Sequence, residues 1–263
     1  MFKSLTFYAL LIATVGIFSC SSESDEQANT IQLVPDDDAT NGNGTGDDAT
    51  ETDSIPGDNF ALATLQIETS WNTADRSTVS EDATTHGPTE YYFLDDQEMV
   101  LISKEPDGKR TELKETPGQE RSLDVVKSLS YTATIFNIPE NGVTIAQVHN
   151  RSNGVLRPLV RVYIDDDRRV KFKLTDDPDS DTQYTTINGP LYQEGETIQV
   201  AMNTSNGTAS FTATTPAGTF SETFTPSNNW TPYSNGYYFK AGVYTEGNDT
   251  RAQIRFSEFE LIK

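Results

Sequence analysis

Cations, an amide, an imidazole and phenols recur at alternate positions in three short segments of this chain. The segments are Arg110-Thr-Glu112-Leu-Lys114, Gln147-Val-His149 and Tyr238-Phe-Lys240-Ala-Gly-Val-Tyr244. In a β-strand, residues i and i+2 point to the same face. Arg110, Glu112 and Lys114 are therefore expected on one face, as are Gln147 with His149, and Tyr238 and Lys240 with Tyr244. Thr111, Leu113, Val148, Phe239, Ala241 and Val243 then turn towards a core. A face so equipped can hold a carboxylate, because a guanidinium binds it in a bidentate manner and a primary amide adds an uncharged donor. The imidazole and phenol can move a proton beside it.

Such residues need a sheet to carry them, and the chain is punctuated as an all-β protein would be. Asp107-Gly108, Asn141-Gly142, Asn153-Gly154, Asn206-Gly207 and Asn235-Gly236 suit tight turns that need positive φ. Between them lie strand-like runs at 131–138, 143–149, 159–164, 170–174, 197–204, 209–214, 237–244 and 252–262. Within 197–203, Ile198, Val200 and Met202 alternate with Thr197, Gln199 and Asn203. One short helix is expected around 122–129. Many short strands joined by Gly and Asn turns imply a two-sheet antiparallel sandwich, a β-jelly roll with a concave groove, and no internal repeat suggests a propeller or solenoid.

The N-terminus reads as an export leader over 1–20, with Lys3 as its positive start, an apolar stretch and Phe18-Ser-Cys20 at its end. The stretch is short for a membrane span. Cys20, the only cysteine, resembles the lipidated residue of a bacterial lipoprotein; the plainer alternative is a leader cleaved near Ala13 or Ser19. Either way the mature domain has no disulfide, no thiol nucleophile and no cysteine-held metal. Residues 21–58 carry eleven acidic side chains and no basic one, so this acidic linker cannot offset its ordering entropy and is expected to be a disordered tether. Its first residues, Ser-Glu-Ser-Asp-Glu, resemble the surface-export signals of Bacteroidetes-type lipoproteins. Residues 59–263 are long enough for one large β domain. A net charge of −21 excludes nucleic acid as a natural partner. A polyanion remains possible if the basic residues gather in one cleft, as the three segments would make them do.

In order and in sequence, those segments resemble the three signature strands of the alginate lyases of polysaccharide lyase family 7: Arg-(Ser/Thr)-Glu-Leu-Arg, Gln-(Ile/Val)-His and Tyr-Phe-Lys-Ala-Gly-x-Tyr-x-Gln. Two positions depart from the pattern. Lys114 stands where the family has a second arginine, keeping charge but losing the planar fork. Glu246 stands where the family has glutamine.

The resemblance implies a lyase that cleaves alginate by β-elimination, giving 4,5-unsaturated oligosaccharides, with no cofactor and no metal. A base takes the C5 proton of a 1,4-linked uronate and the 4-O bond breaks. The carbanion forms beside a carboxylate, so that charge must first be neutralised. The implied catalytic residues are Arg110 and Gln147 on the carboxylate, with His149 and Tyr244 moving protons. Tyr244 could serve as both base and acid, provided that cations such as Arg110 or Lys240 favour the phenolate. His149 could be the base or a carboxylate donor, depending on which uronate epimer presents its C5 proton. The implied binding residues are Glu112, Lys114, Lys240, Tyr238 and Arg161, with Glu112 fixing Arg110 or a neighbouring lysine. Val148 in the Gln-x-His motif is associated in the family with mannuronate-rich substrate. The expected protein is an endolytic monomer held at the bacterial outer membrane or cell surface by lipid on Cys20, or otherwise secreted.

Other residues allow two readings. Tyr238 could pack in the core or touch sugar. Arg157, Arg161 and Tyr163 share a strand parity and could extend a cationic floor, or form a solvated outer face. Trp71 and Trp230 could stack on sugars, though buried tryptophan is commoner. Asp165-Asp-Asp167 reads as a solvated turn, lacking the alternating ligands of a calcium loop. His86 sits in a turn-like Thr-Thr-His-Gly-Pro context without a matching motif. Two rival functions are a non-catalytic surface carbohydrate-binding lipoprotein, which would have no need of Arg110, Gln147, His149 and Tyr244 together, and a lyase for another polyuronate.

Overall fold

Alternation governs the observed elements as it governs the sequence. In Lys127–Phe136 every second residue is buried, and Thr208–Thr215 repeats the pattern. The computed structural model describes residues 54–70, 78–103, 110–180, 182–245 and 251–263. The expected leader, Cys20, nearly all of the acidic linker, the Asp107-Gly108 turn, Trp71 and Glu246 lie outside the described residues.

The strands in chain order are β1 (Leu65–Ser70), β2 (Thr78–Asp82), β3 (Tyr92–Asp95), β4 (Glu98–Ile102), β5 (Arg110–Glu115), β6 (Lys127–Phe136), β7 (Val143–Asn150) and β8 (Arg157–Ile164). They continue as β9 (Arg169–Thr175), β10 (Tyr184–Leu191), β11 (Thr197–Ser205), β12 (Thr208–Thr215), β13 (Gly218–Phe224), β14 (Tyr237–Thr245) and β15 (Gln253–Ile262). An eight-stranded sheet runs β10-β9-β8-β7-β14-β5-β1-β2, and a seven-stranded sheet runs β13-β12-β11-β6-β15-β4-β3. All pairings are antiparallel. This is the β-jelly roll expected from the sequence, with one core between the two sheets. Phe172 of the first sheet stacks on Phe211 of the second at 4.6 Å between ring centres.

The expected helix at 122–129 does not form. The Ser122 hydroxyl and the Asp124 carboxylate close a turn, with Asp124 N–H donating to Ser122 Oγ at 3.1 Å. Lys127 then begins β6, whose Lys-Ser-Leu-Ser-Tyr-Thr-Ala alternation takes over at once. Lys127 is buried because its ammonium reaches across the sandwich to both carboxylate oxygens of Glu115 at 2.8 Å. Glu115 Oε2 also accepts the Phe239 N–H at 2.7 Å, which ties this inter-sheet pair to β14.

Asn206-Gly207 makes the expected hairpin turn between β11 and β12, both residues having positive φ (50° and 76°). Asn235-Gly236 differs: Gly236 has no positive φ, and its glycine is required because a Cβ would strike Ser152 Oγ and Asn150 Oδ1.

Candidate active site

The three signature segments occupy β5, β14 and β7, which are adjacent at the centre of the eight-stranded sheet. Register fixes who faces whom. Arg110 lies opposite Tyr244 and Lys114 opposite Lys240; on the other side of β14, Lys240 lies opposite Gln147 and Tyr238 opposite His149. The apolar partners Leu113, Val148, Phe239, Ala241 and Val243 all enter the core. The structure therefore brings Arg110, Gln147, His149 and Tyr244 onto one sheet face.

Gly242 makes that convergence possible. Its φ is +147°, and a Cβ there would come within 2.7 Å of Glu112 Cα. Pairing with β7 slips between Ala241 and Tyr244, while pairing with β5 runs unbroken from Lys240 to Tyr244. The unbroken β5 ladder sets Tyr244 beside Arg110, and the β-bulge against β7 leaves Tyr244 opposite Thr144. The Arg110 guanidinium carbon lies 4.4 Å from the centre of the Tyr244 ring, and that of Arg161 lies 5.7 Å from it.

Beneath the groove lies a charged network. Lys240 is buried, and its ammonium donates to Glu68 Oε2 at 2.6 Å and to Glu112 Oε2 at 2.5 Å. Arg110 Nη1 approaches the same two oxygens at 3.6 and 3.8 Å. Lys114 donates to Glu68 Oε1 at 3.0 Å. Gln147 Nε2 donates to Glu112 Oε1 at 2.6 Å, which fixes the orientation of its amide. Burial opposes the charge of Glu68, but Lys240, Lys114 and Arg110 outweigh it and hold the carboxyl far below the usual range. Burial likewise opposes Arg110 and Lys240, and Glu112 and Glu68 outweigh it and raise both. Lys114 is lowered by burial, with Glu68 only partly restoring it. Breaking one arm of such a network strands a buried charge, at a cost of roughly 3–5 kcal/mol.

Glu112 lies beside Arg110 and Lys240, the fixing contacts expected of it, whereas Lys240, expected to bind substrate, is enclosed in the floor. Glu68 was not anticipated from sequence. Its signal was the Leu-Gln-Ile-Glu-Thr alternation of β1, which aligns Glu68 with Glu112.

His149 is half-buried, with Nδ1 3.0 Å from the Asn150 carbonyl oxygen. A carbonyl oxygen can only accept, so Nδ1 carries the proton and Nε2 keeps its lone pair. Burial, then the charge of Lys240, push the imidazole well below its ordinary pKa of 6.5. It is a neutral base candidate. Tyr238 stands behind it, ring centres 5.2 Å apart, and the Arg151 guanidinium covers the phenol at 3.7 Å. Tyr238 is itself buried, and burial raises its pKa. It is a wall for His149, not a platform for sugar.

Among the residues with two readings, Arg161 and Tyr163 do extend the floor, opposite Gln147 and Thr144. Arg157 does not. A register shift between Val148 and His149 sets it opposite Asn150, out of phase with Arg161. Trp230 is buried, with Nε1 donating to the Thr175 carbonyl oxygen at 2.9 Å. In the triple aspartate, Asp166 and Asp167 are exposed as a turn requires, but Asp165 is buried and pairs with Lys171. His86 pairs at 2.6 Å with Glu81 of edge strand β2, three strands from β14.

Comparison with known proteins bears on the family and the fold. The alginate lyase family model matches residues 60–263. No curated protein sequence matches the chain. Among solved structures, alginate lyase A1-II', a member of polysaccharide lyase family-7, superposes with a TM-score of 0.66 at 17% identity, covering 79% of this chain and 98% of its own. A variant of that enzyme in complex with substrate (GGMG) gives 0.66 and 17%, with 79% and 95% covered. The alginate lyase from Klebsiella pneumoniae gives 0.66 and 17%, with 79% and 98% covered. At these identities the likeness is one of fold.

Proposed function

Since this chain belongs to the alginate lyase family, polysaccharide lyase family 7, we propose that it cleaves alginate by β-elimination at the 1,4-linked uronate. The observation that carries the reading is the convergence of Arg110, Gln147, His149 and Tyr244 on one face of adjacent strands. A neighbour solved in complex with substrate (GGMG) supports this substrate class.

In the proposed reaction Arg110 and the Gln147 amide neutralise the uronate carboxylate, which lets the C5 proton leave. Where the C5 proton faces the phenol, Tyr244 removes it and returns it to the departing 4-oxygen. Where the epimer presents that proton on the opposite side, His149 Nε2 is the base and Tyr244 the acid. The C5–H and C4–O bonds break, the C4–C5 double bond forms, and no water enters the product. Cutting is endolytic, on a chain laid across an open sheet. The protein acts as a monomer, tethered by lipid on Cys20 and the acidic segment to the outer membrane or cell surface.

The test is digestion of alginate in water enriched in heavy oxygen. Elimination gives ultraviolet-absorbing, label-free ends, and chain cutting that incorporates the label overturns the mechanism. Binding of alginate without any cutting favours the carbohydrate-binding alternative.

A further inference from the structure

At one end of the candidate site the ladder between β5 and β14 stops short. Pairing runs from Tyr244 only as far as Lys240, opposite Lys114. The Phe239 N–H turns to the side chain of Glu115 at 2.7 Å, and Tyr237 pairs instead with Arg121 of the segment that follows β5. Tyr238 therefore sits where β14 has parted from β5, while His149 of β7 remains opposite it.

Arg151 spans this gap. It follows the last residue of β7, and its backbone N–H donates to the Gly236 carbonyl oxygen at 3.1 Å, which fixes where the side chain starts. The preceding Asn150 amide donates to the Tyr233 carbonyl oxygen at 2.7 Å and accepts the Ser152 N–H at 2.8 Å. From this corner the Arg151 side chain crosses β14. Its Nη2 donates to the Glu115 carbonyl oxygen on β5 at 2.6 Å, and its Nε pairs with Glu120 at 2.5 Å. The guanidinium thus straps together the two strands that flank β14. On the way it covers the Tyr238 ring at 3.7 Å, and that ring lies 5.2 Å from the imidazole of His149. Two anchors on different segments and a flat face against a phenol suit a guanidinium and not an ammonium.

We propose that Arg151 is a positioning residue that holds His149 in its reactive orientation through Tyr238. This deepens the alginate lyase reading and rests on it. With the strap in place the Tyr238 ring cannot swing, and the imidazole keeps a wall beside it. His149 Nδ1 then stays on the Asn150 carbonyl oxygen, which leaves the Nε2 lone pair for the substrate. Without the strap Tyr238 turns into the vacated space, the imidazole gains room to rotate, and its two nitrogens exchange roles.

The test compares wild type, Arg151→Met, Tyr238→Ala and the double variant on alginate, with nitrogen NMR of His149 in the absence of substrate. The wild type is expected to show one tautomer, protonated on Nδ1. In Arg151→Met, which keeps the aliphatic stem, the two ring-nitrogen shifts move towards each other as the tautomers mix. The expected loss in kcat is roughly tenfold to a hundredfold, the effect of a misplaced reacting group. KM stays within about twofold of wild type, since no contact to substrate is removed. Because the effect passes through Tyr238, Arg151→Met costs little more in the Tyr238→Ala background. Arg151→Lys keeps the charge but shares one ammonium between two anchors. It recovers part of both readouts, and it carries the same comparison if Arg151→Met does not fold. A single Nδ1 tautomer with wild-type kcat in folded Arg151→Met overturns the proposal. So does a loss that adds in full to that of Tyr238→Ala, or a fall in unfolding midpoint that leaves the tautomer unmoved. A wild type that cuts no alginate overturns the lyase reading and any part of Arg151 in turnover, while the NMR comparison still decides whether the strap holds the ring.

Discussion

Arg110 stands directly across the β5–β14 ladder from Tyr244, its guanidinium carbon 4.4 Å from the centre of the phenol ring. In the proposed reaction one cation thus serves two places at once: the carboxylate to be neutralised and the phenol that moves the proton. Glu68 and Glu112 hold it from below.

Arg110→Lys tests the geometry of that clamp. Lysine keeps the charge but offers a point donor in place of a planar fork. Loss of a preorganised donor to developing charge costs roughly 10²–10³ in kcat. Steady-state kinetics on alginate should show a loss of that size with the fold intact. Near-normal turnover contradicts the bidentate role.

Gly242→Ala tests the close approach of β14 to β5 that holds Tyr244 opposite Arg110. At φ +147° an L residue is strained, and the added methyl meets Glu112 Cα and the Thr111 carbonyl. The expected cost is roughly 1–3 kcal/mol of stability, read by denaturant unfolding, together with a fall in activity larger than in a variant equally destabilised at a distant core position. Wild-type stability and activity in Gly242→Ala contradict the argument.

The candidate face was legible in sequence because β5, β7 and β14 alternate polar and apolar residues in the signature segments. Leu113, Val148 and Phe239 could only go inwards, which sent Arg110, Gln147, His149 and Tyr244 outwards. The edge strands β10 and β13 were not legible. Thr-Thr-Ile-Asn-Gly-Pro and Gly-Thr-Phe-Ser-Glu-Thr-Phe lie at the ends of the two sheets, mostly exposed, so little apolar alternation marks them. Arg157, left open between two readings, falls out of phase because a bulge changes strand parity without leaving a compositional trace. Lys240 was taken for a surface ligand because its two carboxylate partners come from strands far apart in sequence, and only the folded register joins them.

His149 gives a pH prediction. Its imidazole is held neutral by burial and by Lys240, so its folded pKa lies well below 6.5. Nitrogen NMR should find a neutral ring with the proton on Nδ1 from pH 8 down through the ordinary histidine range. The sign for stability follows from linkage. Above about pH 6.5 neither state takes up the proton. As pH falls through that value the unfolded chain binds a proton that the folded site refuses, so stability declines towards the folded pKa. His149→Gln should flatten that decline. A ring that titrates at or above its ordinary value contradicts the assignment.

The most direct measurement compares wild type with Tyr244→Phe on alginate, following ultraviolet absorbance of the unsaturated uronate alongside calorimetric binding of an alginate oligomer. A positioned acid-base group contributes roughly 10²–10⁴-fold to rate. The account predicts a loss of at least that order in Tyr244→Phe while the fold and oligomer binding persist. Absorbance rising at the wild-type rate in that variant contradicts it, and would leave His149 to carry the proton transfer alone.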